Sequence, residues 1–299
     1  ISPPARNQPA GYAFASRTAY GFDLPGLVCK NAPIVRRSAD LYGMTADTTA
    51  RGSSAFPETA DIETSSDDYA GRFAGPAGQW MLEVQERITR DFLKDTPGAT
   101  VLDVGGGHGQ LAIPLCESGY KVTVLGSAES CRQRIARIVD SGQCRFQVGN
   151  VIQLPFSDRS FDAVISFRML THCAQWPRLV AELCRVARQS VIADYPTSQS
   201  VNMIAPALFN AKKKLEGNTR TWKLFRHREV LGEFEKQGFI LQRSKAQFFL
   251  PMVLHRTLRN RMLSALLEGC CRAVGLTRLG GSPVIIRMER RASAAERPE

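Results

Sequence analysis

Residues 101–110 read VLDVGGGHGQ. An apolar run from Val101 to Val104, interrupted by Asp103, drives into Gly105, Gly106 and Gly107, then His108 and Gly109. A residue without Cβ lets the backbone turn sharply and lie flush against a ligand. The amides that open the following segment, LAIPLCESG, then face whatever is bound. The chemistry on offer is the cradling of a ligand. From Gly105 the spacing is G-x-G-x-G, and position 110 is Gln. The dinucleotide fingerprint G-x-G-x-x-G is therefore not met. The plain alternative is a glycine-rich turn that holds nothing.

The elements that position this loop follow from periodicity. Met81, Leu82, Gln85, Ile88 and Phe92 share one face of an amphipathic helix over Gln79–Leu93. TPGA turns the chain into a strand at Thr100–Val104. Helices and strands then alternate: helix Gln110–Ser118, strand Lys121–Leu125, helix Glu129–Asp140, strand Arg145–Val148, strand Phe161–Phe167, helix Pro177–Ala187, strand Ser190–Asp194. Helix Arg228–Gln237 with Gly238 as its cap, strand Phe239–Phe249 and a last strand Pro283–Met288 complete the series. Such alternation forces parallel strands with helices on both faces. The expected fold is α/β, a seven-stranded, mostly parallel sheet flanked by helices, with a helical insertion before the last strand. Residues 1–65, rich in Pro, Ser, Ala, Thr and Gly, read as an irregular extension, with order beginning near Asp67. The main domain is expected over 66–291 and a flexible tail over 292–299.

The glycine stretch resembles the first motif of class I S-adenosylmethionine (SAM) methyltransferases, hydrophobic-L-D-hydrophobic-G-x-G-x-G. A second stretch, GNVIQLPFSDRSFDAVISFRMLTH at 149–172, resembles the G-D-x-x-x-L-P-F-x-D-x-S-F-D-x-V pattern of the ubiquinone/menaquinone-type small-molecule group. Its matching positions are Gly149, Leu154, Pro155, Phe156, Asp158, Ser160, Phe161, Asp162 and Val164. The resemblance covers roughly residues 67–250 and implies a Rossmann-like methyltransferase fold. It implies SAM as cofactor and S-adenosylhomocysteine (SAH) as product. Asp103, Gly105, Gly106, Gly107, Gly109, Ser127, Asn150, Val151 and Phe167 are then the cofactor-binding residues.

Two positions depart from the pattern. Gly126 stands where the family carries an acid that binds both ribose hydroxyls, and Ser127 or Glu129 is the stand-in the sequence offers. Asn150 replaces an Asp but keeps an acceptor oxygen for the adenine amino group. Methyl transfer needs alignment of donor and acceptor and exclusion of water. An acceptor hydroxyl also needs a base. His172 is the candidate base because histidine titrates near neutral pH; the plain alternative is a histidine that ties down a loop. Arg168 and Tyr195 are candidates for the acceptor pocket, Arg168 as a partner for an acidic acceptor.

Composition bounds the rest. The chain has 299 residues, 43 % of them apolar, and a net charge of +11. That charge attracts anions: nucleic acid, an anionic membrane surface or an acidic substrate. No run of about 18 apolar residues exists to span a membrane. The cysteines at 29, 116, 131, 144, 173, 184, 270 and 271 form no C-x-x-C and no zinc spacing, so no metal is expected and a reducing, cytoplasmic setting is. The stretch opens on Ile1 rather than Met, as a processed or trimmed chain does. Residues 1–22 carry Arg6 and Arg17 and no acid, a faint transit-peptide pattern that Asp23 breaks, so organellar targeting stays open.

Two basic segments stand out. Residues 205–228 hold Lys212, Lys213, Lys214, Arg220, Lys223, Arg226 and Arg228 against Glu216. In the family this region caps the substrate; a solvated helix face is the plain alternative. In the insertion, 252–280, Leu254, Leu258, Met262, Leu266 and Leu267 recur at helical spacing among His255, Arg256, Arg259 and Arg261. Such a helix suits an anionic membrane surface, the protein core or a second subunit. The leading function is methyl transfer to an O or C nucleophile of a small, lipophilic or anionic molecule. The alternatives are an RNA or protein methyltransferase, and a catalytically silent scaffold of the same fold. Nucleic acid is disfavoured: the base-amino signature [DNS]-P-P-[YFW] is replaced by SFRM, and Cys173 is followed by Ala174 rather than set beside a proline. Oligomeric state is not legible.

Overall fold

The computed structural model describes residues 56–200 and 223–292. The expectations for residues 1–55, 205–222 and 293–299 lie outside the described residues. Two short helices open the described chain, α1 (Ala60–Thr64) and α2 (Asp67–Gly71), followed by α3 (Gly75–Leu93). Then come β1 (Thr100–Val104), α4 (Ala112–Glu117), β2 (Lys121–Gly126), α5 (Ala136–Asp140), β3 (Cys144–Val148) and β4 (Phe161–Ser166). They lead to α6 (Trp176–Val186), β5 (Ala187–Tyr195), α7 (His227–Lys236) and β6 (Phe239–Phe248). The insertion supplies α8 (Met252–Leu258), α9 (Arg261–Ala273) and α10 (Leu276–Gly280), and β7 (Ser282–Arg290) follows.

The seven strands form one sheet in the order β3-β2-β1-β4-β5-β7-β6. The pairs from β3 to β5 are parallel, and β7 runs antiparallel between β5 and β6. Both faces of the central strands are buried, so successive residues of one such strand enter opposite cores. Val101, Val122, Val124 and Ile165 join Trp80, Met81, Val84, Ile88 and Leu115 on the α3–α4 side. Leu102, Val104, Val164 and Val191 join Leu179, Leu183, Val230 and Phe234 on the α6–α7 side. This explains why the strands read as continuous apolar runs.

One expectation needs correction. Residues 1–65 are not irregular throughout, because α1 lies within them and packs on the domain. Ala60 is buried in the core that contains Leu125, Val151, Ile152 and Met169. The next helix, α2, is capped by Ser66, whose side chain accepts from the Tyr69 N–H.

Residues 249–281 fill the return from β6 to β7 with α8, α9 and α10. The insertion is anchored by a buried pair. Glu268 accepts hydrogen bonds from the Phe249 and Leu250 N–H groups at 2.9 and 2.8 Å, and from His255 Nε2 at 3.1 Å. The His255 ring packs edge-on against Trp80 of α3 at 5.4 Å.

Candidate functional site

The carboxyl ends of β1, β2, β4 and β5 meet at one edge of the sheet, where open α/β sheets bind ligands. The chain leaves β1 through Gly105, whose φ of 79° is left-handed, and the Gly105 N–H donates to Leu125 O on β2. Gly106, Gly107 and His108 make one tight 3-10 turn, closed by Gly109, also at φ 79°. The glycines are forced by close approach as well as by φ. A Cβ on Gly106 would overlap the Asp103 carboxylate, and one on Gly107 would overlap Cys131 O. Asp103 is buried beneath this turn, and burial pushes its carboxyl up to about 7, opposed by the Arg168 charge. His108 sits edge-on to Tyr69 and Phe73 at 6.1 Å from each. Neither of its ring nitrogens has a hydrogen-bond partner among the described residues, and burial pulls its imidazole down to about 3.

Arg168 stands at the centre of the edge. Its φ is 63°, its N–H donates to Asp194 Oδ1 at 2.5 Å, and its guanidinium donates to Gln85 Oε1 at 3.1 Å. The same guanidinium lies 4.8 Å from the Phe73 ring centre and 5.6 Å from that of Tyr69. Gln85 also donates to Asp194 Oδ2 and accepts from Gln110. Asp194 is buried, and desolvation lifts its carboxyl to about 6.

Arg168 separates two spaces. On one side a cavity of about 150 Å³ is lined by Tyr69, Phe73, Gln85, His172, Asp194 and Phe248, among others. On the other, a slot of about 20 Å³ is lined by Asp103, Gly105, Gly106, His108, Phe167 and Thr64, among others. The second is room for about one water.

The sequence-derived residues therefore divide. Asp103, Gly105, Gly106, Phe167 and Arg168 come together around the slot. Gly107 and Gly109 shape the same turn, and His172 reaches the cavity. Val151 is fully buried in the core. Asn150 spends its Oδ1 on the Ile152 N–H at 3.1 Å, closing its own turn. Tyr195 does not join the pocket: it is fully buried and its hydroxyl pairs with His227 Nδ1. Its position at the end of β5 was legible, but not the phenylalanine, Phe225, that packs over it.

At the tip of β2 the missing acid has a steric reason. A Cβ on Gly126 would stand 2.6 Å from the Cys131 Cβ. The stand-in proposed from sequence, Ser127, already has a partner. Its N–H and hydroxyl each donate to the Asp61 carboxylate at 2.5 Å. Asp61 lies on α1, inside the stretch read as irregular. Glu58 of the same segment accepts from the Gln175 N–H, at the start of α6, at 2.9 Å. Sequence reading missed Asp61, Glu58 and Gln85. The signal available for Gln85 was a polar residue inside an apolar helical stripe.

A cradle of glycines over a desolvated carboxylate fits the amino-acid end of SAM, a cation beside its own carboxylate.

Comparison with known proteins agrees with this edge. Residues 102–192 match the family model described as a methyltransferase domain. An O-methyltransferase, resE, of Aspergillus sclerotiorum is 29 % identical over 129 residues, which are 40 % of this chain and 49 % of that protein. A demethylmenaquinone methyltransferase of Symbiobacterium thermophilum is 33 % identical over 122 residues, 38 % of this chain and 47 % of that one. The chain spans about half the length of the curated relatives it matches. Among solved structures, magnesium protoporphyrin IX methyltransferase of Synechocystis PCC 6803 with bound SAH superposes with a TM-score of 0.53 at 15 % identity, covering 77 % of this chain and 97 % of that one. Residues 102–192 therefore match a methyltransferase domain, on a fold shared with solved methyltransferase structures.

Proposed function

We propose that this chain transfers a methyl group from SAM to an oxygen or carbon nucleophile of a small molecule with a single-ring core. The observation that carries the reading is the 150 Å³ cavity that shares Arg168 with the glycine-turn slot. About 150 Å³ encloses one benzene-sized ring. Tyr69, Phe73 and Phe248 supply apolar walls, and Arg168 with Gln85 supplies the polar end. A cationic wall of this kind favours a phenolate or an acidic substituent on the acceptor. SAM, when bound, supplies an activated methyl carbon on a good leaving group. The chain's own part is to hold the acceptor, exclude water and take a proton. Asp103 and the turn amides hold the amino-acid end of the cofactor, and Arg168 holds the acceptor. His172 lines the cavity where an acceptor hydroxyl would lie and serves as base. The test is transfer of radiolabelled methyl from SAM into small-molecule lipid extract, RNA and protein fractions. Label in the extract, lost in His172→Ala, is the expected result. Label only in RNA or protein would replace this reading.

The insertion points to where the acceptor comes from. On helix α9, Ser264 and Glu268 are buried, while Met262 is 82 % and Leu266 64 % exposed. Leu279 of α10 is 80 % exposed, and Val253, Leu254 and Val274 are exposed too. Arg259, Arg272 and Arg278 stand exposed among them. Five arginines and one acid, the buried Glu268, lie between 252 and 280. Among the described residues no helix is long and apolar enough to cross a membrane. Apolar side chains ringed by arginine suit shallow seating on an anionic bilayer, and Met252, the first residue of α8, also lines the acceptor cavity. We therefore place a lipophilic acceptor's entry at this face. Full-length protein is expected to cosediment with phosphatidylglycerol vesicles and not with phosphatidylcholine vesicles. Met262→Glu with Leu266→Glu should lower that binding about tenfold or more. Binding unchanged by the double substitution would overturn the assignment.

A second reading, a catalytically silent scaffold, is favoured by one observation: Gly126 stands in place of the ribose acid, and Ser127 beside it is already held by Asp61.

A further inference from the structure

The place of α1 is specific. The sheet order sets β1 between β2 and β4, and the segment Glu58–Ser65 crosses above β1 from one neighbour to the other. At the β4 side Glu58 holds the Gln175 N–H that opens α6. In the middle Ala60 is buried in the cluster that includes Val151 and Ile152, the turn residues after β3. At the β2 side the Asp61 carboxylate takes both donors of Ser127 and the Cys131 thiol. At the glycine turn the Asp61 Cβ lies 3.5 Å from where a Cβ of Gly105 would stand, and Ser65 Oγ lies 2.5 Å from that of Gly107. The space left over the turn is about 20 Å³.

The family pattern puts the ribose at the β2 tip, and these contacts surround that tip and the glycine turn. Asp61 sits at the β2 tip, beside the Gly126 that lacks the ribose acid. Ala60 is buried in the core cluster that includes the turn after β3. Ser65 and Thr64 sit on the glycines. With α1 packed on Ser127, Cys131 and the glycine turn, the slot between Thr64 and Gly106 has room for about one water. The segment's apolar anchorage is small: Ala60 is the one buried apolar residue, and the other buried residues of the segment, Glu58, Asp61, Thr64 and Ser65, are polar. A short helix held mainly by polar contacts is the kind of unit that opens locally without global unfolding.

Resting on the cofactor reading above, we propose that Glu58–Ser65 is a displaceable strap bound in the nucleoside half of the cofactor cleft, so that SAM binds only when the strap has left. The strap's own chemistry explains a feature the family pattern does not. An aspartate at 126 would collide with Cys131 and repel Asp61, so glycine at 126 and aspartate at 61 belong together. Apparent affinity for the cofactor is its intrinsic affinity reduced by the fraction of molecules with the strap out.

The test is calorimetric titration of the full 299-residue chain with SAH. Asp61→Ala removes the β2 clamp, and Ala60→Arg cannot be buried where Ala60 lies, so it expels the segment by a different route. Both are expected to bind SAH about tenfold more tightly than the parent chain. Hydrogen exchange supplies a second readout: amides of 58–65 should exchange faster in the parent chain when SAH is present. SAH binding by the parent with the same or weaker affinity in both variants, and 58–65 still protected, overturns the strap and leaves the cofactor reading standing. No SAH binding at millimolar concentration by any of the three proteins overturns the cofactor reading itself.

Discussion

Asp103→Asn is expected to stabilise the fold at pH 8 while weakening SAH binding. Asp103 is fully buried below the glycine turn, and burial raises its carboxyl to about 7. In the unfolded chain an aspartate titrates near 3.9. The native state therefore holds a proton between about pH 4 and pH 7 that the unfolded state has lost. Its stabilising contribution is complete below pH 4 and declines as pH rises through 7, where the native state carries a buried charge. A gap of about three units corresponds to about 4 kcal/mol. Asp194, raised to about 6, acts in the same direction. Denaturant midpoints measured from pH 4 to 8 should fall for the parent chain and fall much less for Asp103→Asn. If Asp103 faces the SAM ammonium, the same substitution should cost tenfold or more in SAH affinity, since it removes a charge-assisted bond. Added stability with unchanged affinity would remove Asp103 from the cofactor's amine. The expected trade between stability and binding is typical of a carboxylate kept desolvated for a ligand.

The sheet was almost wholly legible. Each strand was placed within three residues at either end; the central strands, buried on both faces, read as apolar runs, whereas β6 is largely exposed and pairs antiparallel with β7. The glycine spacing located the turn, and it also excluded the dinucleotide cradle, since Gln110 follows Gly109. What escaped reading was short or reversed. Helix α1 has five residues, too few to show a 3.6 period, and its anchors Glu58 and Asp61 look like solvated acids in a polar stretch. Their partners, Gln175 and Ser127, lie more than sixty residues away, and no local pattern records that distance. Tyr195 was placed at the right sheet edge, but an edge position does not say which way a ring turns. Gln85 was read as part of the apolar face of α3, where it proves to be the polar hub between Arg168 and Asp194. In α9 the apolar stripe was real, yet the stripe does not reveal which face the fold covers.

The face that α9 covers is set by Glu268, and Glu268→Ala is expected to give the largest loss of stability. The carboxylate is 1 % exposed and accepts from two backbone N–H groups and from His255. Removing it strands the buried His255 and two half-buried backbone N–H groups, a change that costs about 3–5 kcal/mol. For a domain of this size each kcal/mol lowers Tm by about 2–4 °C, so a fall of about 10 °C should appear in thermal unfolding followed by circular dichroism. Glu268→Gln keeps the shape and one acceptor and should fall in between. A drop below about 2 °C would show that the pair does not tie α8 and α9 to β6. The size of the effect bears on the membrane face as well. The insertion's one carboxylate is held inside, satisfying the chain where it leaves β6. Ser264, one helical turn earlier, faces inward with it, so Met262, Leu263 and Leu266 have only the outer face left. A helix so anchored cannot rotate to bury its leucines without breaking three hydrogen bonds, which keeps the apolar side presented to a bilayer even when none is there.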